Sequence, residues 1–146
     1  MLSELYKREL IELSHNPYHF GKPRKIFSSH ETFNPLCGDK ITVYQAVDPS
    51  KAIELWFESV SCIICTASAS ILMKHSEGMD LNDGLEFIKK VQNAINDGSL
   101  CNHKFPKALH CLEEINNYPS RITCATLPWK TAFELLKCIL QMKQTS

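Results

Sequence analysis

The chain reads as an α+β domain, a small antiparallel sheet of about three strands with helices packed on one face. Three features predict this. The N-terminal segment carries apolar residues at helical spacing, and residues 41–57 alternate on a two-residue period around Asp48-Pro49-Ser50. From Cys62 onward the apolar positions return at three- and four-residue intervals. With 146 residues, no internal repeat and no long linker, residues 1–146 are expected to form one domain.

Residues 2–14 place Leu2, Leu5, Tyr6, Leu10 and Leu13 on one helical face, and His15-Asn16-Pro17 ends that helix. Gly21-Lys22-Pro23 makes a turn-rich connection, and the mixed pattern of residues 26–34 is compatible with a first strand. Asn34-Pro35-Leu36-Cys37-Gly38-Asp39 has the composition of a tight turn. Ile41, Val43 and Val47 then share one face of a half-buried strand, and Ile53, Leu55 and Phe57 one face of the next. Residues 62–75 are rich in small side chains and free of Gly and Pro, which suits a closely packed helix, with Ser61 available as its N-cap. Asp80 caps a further helix bearing Leu81, Leu85, Ile88, Val91 and Ile95, which Asn96-Asp97-Gly98 ends. Pro106 opens a short helix with Leu109, Leu112 and Ile115, broken at Tyr118-Pro119. The last helix carries Trp129, Ala132, Phe133, Leu136 and Leu140, and Pro128 is expected to kink it or start it afresh.

Composition narrows the function. Sixteen basic and sixteen acidic residues balance, whereas a nucleic-acid binder normally carries a basic stripe. The longest near-apolar stretch, residues 62–73, contains Thr66, Ser68 and Ser70 and falls short of the ~20 residues that span a bilayer. The opening MLSELYKRELIEL lacks a small-residue cleavage site, so no signal peptide, no membrane association and a cytoplasmic location are expected. Seven cysteines, an odd number without a secretory signal, speak against a disulfide framework.

Three of those cysteines sit at element junctions: Cys37 in the turn before a strand, Cys62 between the last strand and the small-residue helix, and Cys124 near the start of the C-terminal helical region. Gly38 lets the backbone fold so that Cys37 and Asp39 face one point. Three thiolates and a carboxylate make a tetrahedral set that suits zinc. The same thiolates with an open position suit an iron–sulfur cluster.

The motifs around these cysteines resemble a known family. Asn34-Pro35-Leu36-Cys37-Gly38-Asp39 is similar to the N-P-x-C-G-D motif of the IscU, SufU and NifU N-terminal proteins of iron–sulfur cluster assembly. Cys62 with Thr66-Ala67-Ser68-Ala69-Ser70 resembles their second motif, and Arg121-Ile122-Thr123-Cys124-Ala125-Thr126-Leu127 their third. His15-Asn16-Pro17 followed by Gly21 resembles their N-terminal region. Thr123 stands where IscU-type chains have a histidine, and the long interval from Cys62 to Cys124 is similar to that of SufU-type chains, whose inserted helical segment would fall at about residues 77–100.

The resemblance to SufU-type proteins implies zinc held by Cys37, Asp39, Cys62 and Cys124. Cys37 would be the acceptor of sulfur from a PLP-dependent, SufS-type cysteine desulfurase, with downstream iron–sulfur assembly proteins as further partners. Arg121 would be auxiliary, stabilising thiolate or persulfide charge, or else a surface ion pair. Two other functions stay open at this stage: a scaffold building a [2Fe–2S] cluster on Cys37, Cys62 and Cys124, and a structural zinc domain serving protein contacts. The chain departs from the family pattern at Ser59, Val60 and Ser61, where glycines are usual, at Thr123 and at Pro128. Cys65, which makes a C-x-x-C with Cys62, is read as a packing residue, as are Cys101, Cys111 and Cys138.

Overall fold

In a computed structural model, which describes residues 3–50 and 52–145, the chain opens with helix α1, Glu4–His15. Ser3 caps it by accepting the Tyr6 N–H, and Leu10 is its buried residue, with Tyr6 and Leu13 packed alongside. Leu5, expected on that face, is 61% exposed, because the helix turns Tyr6 and Leu10 inward and so rolls Leu5 to the rim. Leu2 lies outside the described residues.

Three strands follow: β1 (Ser28–Phe33), β2 (Lys40–Gln45) and β3 (Leu55–Val60), antiparallel in the order β1-β2-β3. Period-two alternation places Ile41, Val43, Leu55 and Phe57 on the face covered by helices, all fully buried. Val47, expected on the same face, is exposed. The ladder stops at Gln45, whose buried amide donates to the Val47 and Ala52 carbonyls and accepts the Glu54 N–H, turning the chain before Val47 can continue the strand. The free edge of β3 is met by residues 19–21: the Gly21 N–H donates to the Phe57 carbonyl and the Phe57 N–H to that of His19. Gly21, at φ +120°, lies in backbone space that side-chain-bearing residues rarely adopt.

Helix α2 (Ile63–Ser76) buries its small residues against the rest of the fold. Ser68 donates to the Ala125 carbonyl and accepts the Trp129 indole N–H, while Ser70 accepts the Tyr18 N–H. Its N-cap is Cys62; Ser61 instead bonds Ser59 and Thr66 through its hydroxyl. Helix α3 (Leu81–Asp97) is capped by Asp80 and closed by Gly98 in the left-handed region at φ 76°. Residues Lys107–Asn117 form a 3-10 rather than an α-helical stretch. Leu109, Leu112 and Ile115 recur every third residue, which matches three residues per turn. Helix α4 (Pro119–Thr145) runs on through Pro128 without restarting. Proline has no N–H, so the carbonyl one turn earlier, that of Cys124, loses its helical partner. The buried apolar side chains from all of these elements form one cluster.

Candidate metal centre

The register of the sheet assembles the site. Phe33 pairs with Lys40 and Lys40 with Val60, so the β1–β2 turn and the exit of β3 leave the same end of the sheet. The turn itself is closed locally: Asn34 N–H donates to the Asp39 carbonyl, Gly38 N–H to the Asn34 carbonyl, and the Asn34 side chain accepts the Leu36 N–H. Gly38 takes φ +78°, which reverses the chain between Cys37 and Asp39. Two residues past Val60, Cys62 caps α2; from the far end of the sequence α4 delivers Cys124 in its second turn.

Cys37, Asp39 and Cys124 offer ligand atoms that all lie within 4.8 Å of one another. Sulfur and oxygen ligands of a tetrahedral zinc stand roughly 4 Å apart, so a small contraction would complete such a shell. Cys62 is outside that trio. Its thiol nonetheless neighbours that of Cys124, and its backbone N–H donates to Asp39 Oδ1 at 3.1 Å. Asp39 is 5% exposed, and its second carboxylate oxygen, Oδ2, is buried with no hydrogen-bond partner. A buried anionic oxygen left this way is costly unless a cation or donor meets it. The donor set and the unpaired oxygen together fit a bound metal ion.

The thiols differ in access. Cys37 is exposed, Cys62 half-buried and Cys124 buried. Burial is the main force holding the Cys124 thiol well above the usual range, reinforced by the neighbouring Cys62 thiol and by the carboxylate of Asp39. Cys65, in the first turn of α2, is pushed up to about 12, chiefly by burial, and it feels the charges of Asp39, Cys62 and Cys37. It is therefore a neighbour of the site, a position the C-x-x-C spacing across an N-cap signals. Arg121 is exposed, one turn before Cys124, and is not part of the trio. Thr123 turns its hydroxyl back to the Ser120 carbonyl. The hydrogen bond from Cys62 to Asp39 was not legible in sequence, since it joins residues on different elements.

Among the described residues, no helix is long and apolar enough to cross a membrane. The family model of the NifU-like N-terminal domain matches residues 5–125. A relative named iron–sulfur cluster assembly scaffold protein IscU, from Thermotoga maritima, is 28% identical over 92% of this chain and 94% of its own. The zinc-dependent sulfurtransferase SufU of Bacillus subtilis is 27% identical over 88% of this chain and 87% of its own. Among solved structures, a SufU chain of Fervidobacterium islandicum superposes with a TM-score of 0.74 at 27% identity, covering 92% of this chain and 95% of that one. A NifU-like N-terminal domain from Brucella abortus, at 17% identity, shares the fold with a TM-score of 0.77, covering 93% of this chain and 94% of that one. This chain therefore belongs to the NifU-like N-terminal domain family and is of the IscU/SufU type.

Proposed function

We propose that the protein serves iron–sulfur cluster assembly as a zinc-dependent sulfur acceptor, with Cys37, Asp39, Cys62 and Cys124 as the ligands and a SufS-type cysteine desulfurase as the sulfur donor. One observation carries this reading: an exposed Cys37 and a buried Cys124 share a cluster with a buried carboxylate whose Oδ2 has no partner. The name of the Bacillus subtilis relative supports it. Zinc bound there would hold the cysteine sulfurs as thiolates at neutral pH.

The chain's own residues set the direction of traffic. Asp39 and Cys124 are at the back of the site, and the Asn34–Asp39 turn presents Cys37 outward. The Cys37 sulfur attacks the terminal sulfur of the donor persulfide. One S–S bond forms as another breaks, the donor cysteine leaves as a thiol, and Cys37 carries the persulfide. Around Cys37 the surface is apolar: Leu36 is 89% exposed and Val60 77%, with Phe33 and Ile63 also open. Such an exposed patch suits a protein partner that excludes water during transfer. We read α3 and its flanks, about residues 77–100, as the insertion of SufU-type chains within a single 1–146 domain.

A second reading is a scaffold that carries a [2Fe–2S] cluster as cargo on Cys37, Cys62 and Cys124, which the name of the Thermotoga maritima relative favours. Metal and acid-labile sulfide per chain, measured after anaerobic purification from iron-replete cells, separate the two. About one zinc and no sulfide is expected for the four-ligand site; iron with matching sulfide replaces the first reading by the second. Sulfide release by the desulfurase is then compared with wild type and with Cys37→Ala. The variant is expected to stay folded and to lose the stimulation; equal stimulation removes Cys37 as acceptor, and unfolding would point to a structural zinc domain.

A further inference from the structure

Cys62 differs from the other three candidate ligands in also lining a groove of about 780 Å³ between α1, the start of α2 and the start of α4; Cys37, Asp39 and Cys124 do not line it. Its walls include Leu10, Ile11, Ile63 and Ile115. Its charged residues are Lys7, Arg121 and Glu4, a net positive rim, and among the described residues neither cation takes part in an ion pair. Cys62 is the N-cap of α2, so the positive end of that helix adds to the field at its sulfur. The site thus has two faces: Cys37 opens on the sheet-turn side, Cys62 on the groove. The volume is in the range of small-molecule pockets, and Cys62 is half-buried, which favours a small reactant over a protein loop.

We propose that the groove is the exit side of the sulfur site and admits a low-molecular-weight thiol bearing a carboxylate, which removes sulfur from Cys62. This rests on the sulfur-acceptor reading above. The Asn34–Asp39 turn carries the exposed Cys37 to Cys62, which lies outside the 4.8 Å trio, and the persulfide passes between the two sulfurs by exchange, giving Cys37–SH and Cys62–S–SH. The small thiol, R–SH, then attacks the outer sulfur. A bond forms between R–S and that sulfur, the bond to Cys62 breaks, the proton of R–SH ends on the Cys62 sulfur, and R–S–SH departs. The sulfane sulfur changes carrier without any outside oxidant or reductant. Lys7 and Arg121 attract the carboxylate, and the isoleucine walls pack its apolar portion.

The test has two arms, both on metal-loaded protein. In the first, amide NMR follows a titration with S-methylglutathione, an anionic probe that cannot react, against S-methylcysteamine, its cationic counterpart. Saturable shifts confined to the groove residues Lys7, Ile63, Ile115 and Arg121 are expected with the anionic probe only, weakened about fivefold in Arg121→Glu. No shift up to about 20 mM, or equal shifts with both probes, overturns the proposal. In the second arm, protein loaded with labelled sulfur by desulfurase and cysteine is discharged with glutathione. Discharge about fivefold slower in Arg121→Glu, with label trapped on the Cys62 peptide by alkylation before glutathione is added, supports the proposal; unchanged discharge, or label on Cys37 alone, overturns it while leaving the acceptor reading standing. If no label is taken up, the acceptor reading is what fails, and the proposal built on it falls with it.

Discussion

Asp39 is the side chain on which the site turns. Its Oδ1 holds the Cys62 N–H while Oδ2 is buried without a partner. Asp39→Asn keeps the acceptor for that N–H and removes the charge. Metal affinity, read by chelator competition, is expected to fall at least tenfold. The metal-free variant is expected to melt no lower than metal-free wild type, because a buried charge has gone. Cys124 supplies a pH dependence. Its thiol is raised by burial, by Cys62 and by Asp39, so the metal-free site holds it protonated at neutral pH and metal must displace that proton. Apparent zinc affinity is therefore expected to rise by at least tenfold per pH unit between pH 6 and 8, read by competition titration, with at least one proton released per zinc bound. A flat profile would show that the proton is not there. Local chemistry made the Asn34–Asp39 turn readable: a proline, a glycine and an asparagine that closes on Leu36 are short-range signals. The nearness of Cys65 to the charges of the site was less readable, because it depends on how α2 is seated.

At the scale of elements, the junction of α2 with α4 fixes where Cys62 and Cys124 stand. Ser68 links the Ala125 carbonyl to the Trp129 indole, next to the Cys124 turn. Ser68→Ala leaves a buried indole N–H unpaired and is expected to destabilise by about 1–3 kcal/mol, measured by denaturant titration with unchanged m-value. A smaller cost of Ser68→Ala in a Trp129→Phe background, read by a double-mutant cycle, would confirm the unpaired N–H as the cause. At the end of α3, Gly98 sits at φ 76° with the Asn116 side chain against the place a Cβ would occupy, so Gly98→Ala is expected to cost about 1–2 kcal/mol. Most elements were legible in sequence because their periods are strong: Leu81, Leu85, Ile88, Val91 and Ile95 are all buried on α3. Two boundaries were not. Gln45 ends β2 through its own side-chain hydrogen bonds, and the step of three from Leu109 to Ile115 winds a 3-10 stretch where an ordinary helix was expected.

For the whole molecule, ligands from the β1–β2 turn, the β3–α2 junction and α4 make metal binding a property of the folded chain. Removing zinc is expected to lower the melting temperature, since bound zinc stabilises the fold by RT ln(1 + [zinc]/Kd), whereas the secondary structure, built on an apolar cluster in which Cys124 is only one member, should survive. Circular dichroism with and without chelator measures both; wholesale unfolding on chelation would mean that the metal organises the fold. The sequence by itself determined the α+β class, the order of elements, the turn around Cys37 and the motifs that mark the family. Each of these depends on neighbours within a few residues or on periodic burial, which a linear string records. Only the tertiary structure decided that Asp39 is buried with one oxygen unpaired, that Cys62 borders a groove separate from Cys37, and that Leu5 and Val47 face outward. These depend on sheet register and helix rotation, where a shift of one residue or a quarter turn redirects a side chain without altering the pattern that predicted the element.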